Sequence, residues 1–296
     1  MNVTPPSKLS ALDPYTEALL LACQGEDPHQ VKAALDTLNE DWPGDAAEPF
    51  LRPLLSRWWD EPQILEVLLE VYSVVASFAA APEIFALLGH PHPAVVSAAA
   101  IVLDDIGDAR LGERALEALL PLTRHGDAEV QETAAHVITQ LDGWDGPQPL
   151  SPGRLTDVVL GLLEHDTRQV RACVARELVG WDYERERVDG VMARYVHSSD
   201  PSLCAPALTR LGTSGDQAAL ERLMAVLREP DPHPEFITAA ARVGCDHGSR
   251  KVKRALRREL KRLRSEGWPG RDPESRVNRM KNALSLLSSN PLSGWL

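Results

Sequence analysis

Large apolar residues recur along the chain at intervals that correspond to pairs of helices. Seven of them, which we call anchors, each follow a short polar turn, and successive anchors are 31 to 40 residues apart: Val31, Ile64, Val95, Val130, Val170, Leu203 and Phe236. The turns are rich in Asp, Gly and Pro, as in "GEDPHQ" (residues 25–30) and "GHPHPA" (residues 89–94). Proline cannot continue a helix but suits its first turn, and Asp caps the amides of a helix start. The pattern therefore predicts seven two-helix repeats, with the anchor near the start of each second helix.

The two helices of a repeat differ in the size of their apolar side chains. The first carries a bulky stripe, as in "LTDVVLGLLEH" (residues 155–165). The second carries small residues three or four positions after the anchor, which let neighbouring helices approach closely: Ala34, Ala98, Ala134, Cys173 and Ala239. Neither helix can bury its apolar face alone, whereas stacked pairs share a continuous core. Together with a content of only 5% aromatic residues, this predicts an all-α fold, an α-solenoid of about seven repeats.

One repeat carries the residues of a known family most clearly. In "DTRQVRACVARELVG" (residues 166–180) an Asp stands at the turn and a Val-Arg pair opens the second helix. These residues resemble the HEAT-repeat family, and within it the short bacterial repeats named after phycobilisome lyases. The resemblance extends over about seven repeats, from Pro14 to Val243. It implies a right-handed superhelix whose second helices line the concave side, and it defines a fold better than a function.

The sequence departs from the family pattern in two respects. The ladder of Asp and Arg that joins neighbouring repeats in the family is retained only at Asp166 with Arg171 and, less closely, at Asp27 with Lys32. We therefore expect the other repeats to stack through apolar packing. Pro206 lies within the second helix of the sixth repeat, where it predicts a kink or a late helix start.

Interruptions of the repeat pattern predict how the chain divides. Residues 1–248 are expected to form the solenoid. The loop "DGWDGPQPLSPG" (residues 142–153) accounts for the longest interval between anchors and would allow the solenoid to bend. Residues 249–296 are expected to form a basic helix and a final capping helix, roughly residues 276–287, packed on the solenoid.

Composition and cysteine usage limit the class of protein. The chain is 44% hydrophobic and 25% charged, which is ordinary for a globular protein. Its charge-free apolar stretches reach only about half of the roughly 20 residues that cross a bilayer, so no membrane span is predicted. The four cysteines are far apart and form no C-x-x-C pair. They predict reduced, buried thiols and a cytoplasmic location, without a disulfide scaffold or a zinc ribbon.

Few residues have a pattern typical of catalysis or metal binding. His90 and His92 occupy the turn position where other repeats have Asp-Pro or Gly-Asp, and no third ligand follows at a suitable spacing, so they are interpreted as a corner. Glu132 and His136 are four residues apart and could touch, but a surface hydrogen bond is the simpler interpretation. The sequence contains no phosphate-binding loop, no nucleophile elbow and none of the His-Glu dipeptides of metal-dependent HEAT hydroxylases. We therefore predict a protein that is not an enzyme and needs no metal or cofactor.

Positions two and six residues after each anchor lie on one helical face, turned away from the packing stripe. In chain order they are Ala33 and Thr37, Glu66 and Glu70, Ser97 and Ile101, Glu132 and His136, Ala172 and Arg176, Ala205 and Thr209, and Thr238 and Arg242. If the second helices line the concave side, this face is an open groove floored by small residues, acidic in its N-terminal half and basic in its C-terminal half. Such a groove suits a peptide of opposite charge polarity, and a solvated face without a ligand is the alternative.

The net charge changes sign along the chain. Residues 1–110 contain 17 acidic and 5 basic residues, whereas residues 250–281 contain 13 basic and 4 acidic residues. Residues 250–264 have a narrow apolar stripe, which predicts an amphipathic helix docked by that stripe. Its basic face is either the polar surface that a last repeat needs for solubility or a site for an acidic partner such as nucleic acid. The formal net charge of −12 argues against DNA as the main ligand, because duplex-binding proteins usually present basic surface along the whole track.

The leading hypothesis is a non-enzymatic scaffold, adaptor or inhibitor that binds a basic segment of a partner protein in the acidic half of the groove. The predicted partner-binding residues are Glu66, Glu70, Asp104, Glu132 and His136, with Trp58 and Trp59, of which one is expected in the core and one at the rim. The alternative is binding of nucleic acid or another acidic partner by the basic helix, through Arg250, Lys251, Arg254, Arg257, Arg258, Lys261 and Arg262. A third hypothesis, bilin-lyase-like chromophore handling, rests on the family resemblance alone.

Overall fold

The computed structural model describes the chain except at residues 1–11, 42, 147–149, 230–231, 248–249 and 266–296. The chain divides into two compact units, Met1–Leu155 and Thr156–Leu296, which we call unit 1 and unit 2. The capping helix predicted at residues 276–287 lies outside the described residues. The predicted boundary at residues 248/249 stays a prediction, as does a bend at residues 142–153.

Helices account for nearly all regular structure in the described residues. Unit 1 contains α1 (Pro14–Cys23), α2 (Pro28–Asp41), α3 (Glu48–Arg57), α4 (Pro62–Ser73), α5 (Ala81–Leu87), α6 (Pro93–Ile106), α7 (Gly112–Leu122), α8 (Ala128–Gln140) and the start of α9 (Pro152–Leu162). Unit 2 contains the rest of α9, α10 (Arg168–Glu177), α11 (Arg185–Met192), α12 (Pro201–Ser214), α13 (Gln217–Leu227), α14 (Pro234–Asp246) and α15 (Arg250–Ser265). The one β-bridge among these residues joins Asp108 to Asp145. No helix in the described part of the chain is both long and apolar enough to cross a membrane.

The predicted second helices are α2, α4, α6, α8, α10, α12 and α14. Every anchor lies within the first four residues of its helix and is at most 8% exposed. Five of these helices begin with proline, which has no N–H to leave unsatisfied at a helix start. Asp127 and Asp200 cap two of them, because their carboxylates accept backbone N–H groups of the first turn. The all-α fold of two-helix repeats predicted from the anchors is confirmed.

Second helices form the contiguous layer of each unit. In unit 1, α2 packs on α4, α4 on α6 and α6 on α8, and in unit 2, α10 packs on α12 and α12 on α14. Small residues at these contacts are fully buried, including Ala99 and Ala134 in unit 1 and Ala240 in unit 2, so the helices can approach closely. Helix α15 packs on α13 and α14, with Leu256 and Leu260 at most 1% exposed.

Neither predicted ladder pair forms. The Arg171 guanidinium donates to the backbone carbonyls of His165 and Asp166, at 2.5 and 2.9 Å, and not to the Asp166 carboxylate. Lys32 pairs with Asp36, one turn further along its own helix, at 3.0 Å. These two predictions were wrong because other acceptors take the place of the expected carboxylates. They are backbone carbonyls of the turn for Arg171, and the Asp36 carboxylate one helical turn away for Lys32.

Arginines instead bridge neighbouring repeats at other positions, so the expectation of purely apolar stacking is also wrong. In unit 1, Arg52 on α3 donates to both carboxylate oxygens of Glu83 on α5, at 2.8 to 3.0 Å. In unit 2, Arg168 at the start of α10 donates to both carboxylate oxygens of Asp200, which caps α12, at 2.9 Å. The long side chain and planar fork of arginine make such two-point contacts with a carboxylate favourable.

The turn before α6 is a corner, as predicted from its His-Pro-His-Pro sequence. His90 is 6% exposed, its Nε2–H donates to the Trp59 carbonyl at 2.9 Å, and its Nδ1 accepts the N–H of His92 at 3.1 Å. Both ring nitrogens are therefore used by the backbone. The turns before α8 and α10 repeat one of these contacts, since Nδ1 of His125 and of His165 accepts the N–H two residues later, at 3.0 and 3.1 Å.

Helix α12 runs from Pro201 to Ser214 through Pro206, so of the two predicted alternatives, a kink or a late helix start, the late start does not occur. Pro206 has no N–H to donate to the carbonyl of Ser202, and it is buried in the helix. Packing of α12 against α10, α13 and α14 keeps it helical despite the missing bond.

Candidate partner-binding site

An open groove in unit 1 is formed by successive second helices. Helix α6 provides its floor, including Ser97 and Ile101, while α4 provides one wall with Glu66 and Glu70, and α8 contributes Glu129 to the other. The groove has a volume of about 480 Å³. The anchors bury the opposite face of each helix, and helical periodicity therefore turns these residues outward. We call this surface the unit 1 groove.

Carboxylates stand on both walls of the unit 1 groove. Glu66 is half-buried, and its Oε1 lies 3.4 Å from Nδ1 of His92. Glu70 is exposed and accepts a hydrogen bond from Nδ2 of Asn39 at 3.1 Å. Glu129 is exposed on the opposite wall. Since an amide such as Asn39 orients a carboxylate without neutralising it, the groove keeps its negative charge.

The floor of the unit 1 groove is small and apolar except for one hydroxyl. Ala94 and Ala98 are half-buried, and Ile101 is 48% exposed, which is high for a large aliphatic side chain. Ser97 is 6% exposed, and its Oγ has no hydrogen-bond partner among the residues that the structure describes. An apolar centre with charged edges is typical of protein-binding surfaces.

The other acidic-site residues predicted from the sequence lie outside this groove. Asp104 is half-buried on α6 and accepts a hydrogen bond from Nε1 of Trp144 at 2.9 Å. Glu132 is half-buried and His136 is exposed, both on α8 and neither in the groove lining. Of the five polar residues predicted, the two glutamates of α4 are the ones that line this groove.

Glu129 is the charged residue of the groove lining that was not predicted from the sequence. It directly precedes its anchor and lies three residues before Glu132, which places it on the same face of α8 one turn earlier. Ala94 holds the equivalent position on α6 and also lines the groove. Extending the series of groove positions back by one helical turn would have found both residues.

Trp58 and Trp59 have different environments, one in the core and one near the surface. Trp58 is 7% exposed, so a partner cannot reach its ring, and burial removes it from the candidate surface. Trp59 is half-buried, and its ring meets that of His90 edge-on with centroids 4.8 Å apart. Trp59 lines two shallow depressions of about 270 and 250 Å³ and can contact a partner.

Unit 2 has a groove of the same construction, which we call the unit 2 groove. Helix α12 forms its floor and α10 and α14 form its walls, around a volume of about 590 Å³. All six predicted groove positions of these helices line it: Ala172, Arg176, Ala205, Thr209, Thr238 and Arg242. On the floor, Ala205 and Thr209 are 3% and 5% exposed, whereas the two arginines of the walls are exposed.

The unit 2 groove is closer to neutral than the sequence predicted. Arg176 shares its wall with Glu177, and Arg242 shares its wall with Glu235. Arg242 also lies 3.9 Å from Asp246, one turn further along α14. The predicted basic character came from the positions two and six residues after the anchors. Glu177 and Glu235, at positions just outside that series, contribute the carboxylates that balance the two arginines.

Helix α15 presents part of its positive charge as a narrow stripe. Five of its basic residues are exposed and spaced so that they share one helical face: Arg250, Lys251, Arg254, Arg258 and Lys261. We call these residues the cationic stripe. Arg257 is half-buried. Arg262 is half-buried and donates to the Leu227 carbonyl at 2.8 Å and to Glu259 at 3.0 Å, so it belongs to the contact with the preceding repeat.

Burial lowers the reactivity of the cysteine side chains. The four cysteines are present as thiols. Desolvation by burial raises the pKa of Cys23 to about 12 and also raises the pKa of Cys204 and of Cys245. Cys204 Sγ–H donates to the Val196 carbonyl at 3.1 Å. Because the thiolate is the reactive form, a raised pKa makes these thiols poor nucleophiles at neutral pH.

Comparisons with known proteins bear on the fold. No protein-family model matches the sequence, and no curated protein matches it. The solved structure of YibA from Escherichia coli is similar at 10% identity, over 98% of this chain and 100% of that chain, with a TM-score of 0.54. Kap121p, solved bound to Pho4p, is similar at 13% identity over 92% of this chain, with a TM-score of 0.55, and this chain spans 33% of it.

The complex of CpcE and CpcF of phycocyanin lyase from Nostoc is similar at 16% identity, over 97% of this chain and 100% of that chain. Its TM-score of 0.49 supports no argument about function. Identities this low show a shared fold alone. The paired helices, their stacked second helices and the similarity to YibA and Kap121p agree on one conclusion: the chain is a helical repeat protein with the HEAT- and armadillo-like α-solenoid fold.

Proposed function

We propose that the protein is a non-enzymatic scaffold, adaptor or inhibitor whose unit 1 groove binds a basic segment of a partner protein. One observation carries the proposal: carboxylates stand on both walls of an open groove, Glu66 and Glu70 on one side and Glu129 on the other. A segment lying on the floor would have negative charge on both flanks.

Electrostatics favour a basic partner at this groove. A half-buried carboxylate such as Glu66 interacts with a cation at a lower effective dielectric constant than a fully hydrated one. Residues 1–110, with 17 acidic and 5 basic side chains, add a longer-range field that attracts a basic partner and speeds association. The mixed charges of the unit 2 groove provide no such bias, which supports the assignment to unit 1.

The surroundings of the reactive side chains support a non-enzymatic role. Burial raises the pKa of the thiols of Cys23, Cys204 and Cys245, and the backbone engages both ring nitrogens of His90. Reduced thiols also suit a reducing compartment, and we propose a cytoplasmic location. Chromophore handling rests on the family resemblance alone and is not proposed.

The proposal is tested with fluorescein-labelled octa-lysine, whose binding is followed by fluorescence anisotropy at low salt. In the double variant Glu66→Lys/Glu70→Lys we expect affinity to fall at least ~100-fold, about 3 kcal/mol, because two attractions become repulsions.

The matched control is Glu26→Lys/Glu117→Lys, which makes the same change in net charge at exposed positions outside the groove lining. It should weaken binding less than ~3-fold, since screened charges at a distance contribute little. Equal losses in the two double variants would show that only net charge matters and would refute the groove assignment.

A second candidate function, nucleic-acid binding, is favoured by the cationic stripe. Arg250, Arg254, Arg258 and Lys261 follow one another at intervals of four, four and three residues, so they project from one face of α15. Such a row can contact successive phosphates without reading bases.

The test of the second candidate is binding of a fluorescein-labelled 20-base-pair DNA at several salt concentrations. The variant Arg254→Gln/Arg258→Gln/Lys261→Gln should weaken binding and make the slope of log affinity against log salt about 2 to 3 units shallower. An unchanged slope would remove the stripe from consideration and leave it as the solvated surface of the last repeat.

A further inference from the structure

One hydroxyl in the unit 1 groove, that of Ser97, lacks a hydrogen-bond partner in the described part of the chain. Ser97 lies on the floor of the groove, is 6% exposed, and its Oγ makes no hydrogen bond within the described residues. A helical serine commonly donates to the carbonyl one turn earlier, and a buried hydroxyl without any partner is unfavourable. Rotation about Cα–Cβ moves this hydroxyl between staggered positions. The Oγ atom itself is buried in the observed rotamer, so a donor that enters the groove would satisfy it after this rotation.

An apolar contact point lies one helical turn from this hydroxyl. Ile101 lines the same groove and is 48% exposed. Residues four apart in a helix are separated by about 6 Å along its axis. Residues two apart in an extended chain point to the same side and are about 6.7 Å apart. An extended segment along α6 could therefore place one side chain at Ser97 and the next but one at Ile101.

The charges around Ser97 favour lysine at the first of these positions. Glu66 and Glu129 belong to opposite walls, on either side of α6. The lysine ammonium has three donors that point in different directions, whereas the arginine fork is shaped for a single carboxylate. The apolar stem of lysine can cover a floor of small residues while its ammonium remains among polar atoms.

Building on the proposed function, we infer that the unit 1 groove recognises a lysine and a large aliphatic residue two positions apart in an extended segment. The lysine ammonium donates to Ser97 Oγ between Glu66 and Glu129, and the aliphatic side chain covers Ile101. The proposed partner is then a segment in which lysine and a large aliphatic residue stand two positions apart, and no longer any basic segment.

The probe is a fluorescein-labelled peptide, Ser-Lys-Ser-Leu-Ser-Lys-Ser-Leu-Ser, which presents the motif in both chain directions. Three further peptides replace both leucines by serine, both lysines by arginine, or both lysines by serine. We expect the parent peptide to bind about 5-fold more tightly than the leucine-to-serine peptide and the arginine peptide, and the lysine-free peptide not to bind.

Ser97→Ala separates recognition from folding. It should weaken binding of the parent peptide about 5-fold while leaving the urea midpoint unchanged or higher, because the hydroxyl it removes has no partner among the described residues. The matched control is Ser73→Ala in the same groove, whose hydroxyl already donates to the Glu70 carbonyl, and this variant should change binding less than ~2-fold.

Ile101→Ala tests the apolar contact. It should weaken the parent peptide about 5-fold and leave the leucine-to-serine peptide unchanged, so that the two changes are coupled in a double-mutant cycle. The inference is overturned if Ser97→Ala binds normally, if the two changes are additive, or if the parent peptide does not bind. Should octa-lysine still bind and lose affinity in Glu66→Lys/Glu70→Lys, only the motif fails. Should octa-lysine not bind at all, the proposed function fails as well.

Discussion

The unit 1 groove and the unit 2 groove are built on the same plan, with a second helix as floor and its two neighbours as walls. They differ in charge. Glutamates occupy both walls in unit 1, whereas each wall in unit 2 carries an arginine and a glutamate. The repeat therefore determines where a groove forms, and a few outward positions on each second helix determine what that groove can bind.

The turns that support the two grooves differ in a similar way. His90 in unit 1 is buried and bonds the backbone through both ring nitrogens. His165 in unit 2 is half-buried and accepts the N–H of Thr167 through Nδ1. In unit 2 a charge pair, Arg168 with Asp200, joins the starts of α10 and α12. The turn before α6 and the turn before α10 thus use different contacts, and each contact can be removed separately.

His90→Ala should have the largest effect on stability. The variant removes a buried ring and leaves the Trp59 carbonyl and the His92 N–H without these partners, which we expect to lower the free energy of unfolding by about 2 to 3 kcal/mol. His165→Ala removes one bond at a less buried ring and should cost about 1 kcal/mol. Urea denaturation followed by circular dichroism measures both. Equal losses would contradict the distinction between the two turns.

A conservative variant separates the two bonds of His90. In His90→Asn the amide oxygen can still accept the N–H two residues later, as in an Asx turn. We expect it to recover about half of the stability lost in His90→Ala, since only the bond to Trp59 and part of the packing are missing.

Asp200→Asn should have a smaller, pH-dependent effect in unit 2. The Arg168 guanidinium, with help from Ser202, holds the pKa of Asp200 well below its usual value. A folded-state pKa below the unfolded one gives stability that is present above about pH 4 and is lost as the pH falls further. Because Arg168 is largely exposed, the variant should lose only about 0.5 to 1 kcal/mol at pH 7.

The pH series provides the control for Asp200. Asn keeps an oxygen that can cap α12, so the difference between wild type and Asp200→Asn reports the charge and should shrink below about pH 4. Urea denaturation at pH 7, 4 and 2 measures it. Arg168→Gln should weaken the same pH dependence, because Ser202 still donates hydrogen bonds to the Asp200 carboxylate, and a wild-type advantage that stays constant down to pH 2 would contradict the ion pair.

Arg176→Gln/Arg242→Gln should have the smallest effect and locates the binding site. If octa-lysine binds in unit 1, removing two positive charges from the unit 2 groove should raise its affinity less than ~2-fold, through screened long-range repulsion alone. Isothermal titration calorimetry should still give one peptide per chain. A rise above ~10-fold, or a second binding site, would assign the peptide to the unit 2 groove.

The sequence predicted the repeats well because their signals are local. Each anchor, such as Val95, follows a turn that stops one helix and starts the next, and burial of a large apolar residue fixes which face of the helix points inward. The corner at His90 could be predicted for the same reason. Arg52 with Glu83 could not, because 31 residues separate them and no local pattern relates their side chains.

The candidate site was predicted in part. Periodicity placed Glu66 and Glu70 on the outward face of α4 and correctly turned Ser97 and Ile101 towards the groove. Periodicity selected Glu132, whereas the groove lining contains Glu129. It also selected Asp104, which lies outside the lining and accepts a hydrogen bond from Trp144. Periodicity within one helix shows which residues share a face. Whether such a residue lines a groove depends on which ends of the neighbouring helices lie next to each other.

The sequence by itself determined that this protein is made of two-helix repeats, where each turn lies and which face of each second helix turns outward, because these follow from the spacing of apolar residues and helix-breaking residues within one repeat. Only the tertiary structure decided that Glu129 and Glu66 line opposite walls of one groove, that Ser97 lacks a partner within the described part of the chain and that Arg168 reaches Asp200. These contacts depend on how far one helix is shifted along the next, and side-chain packing between repeats sets that shift.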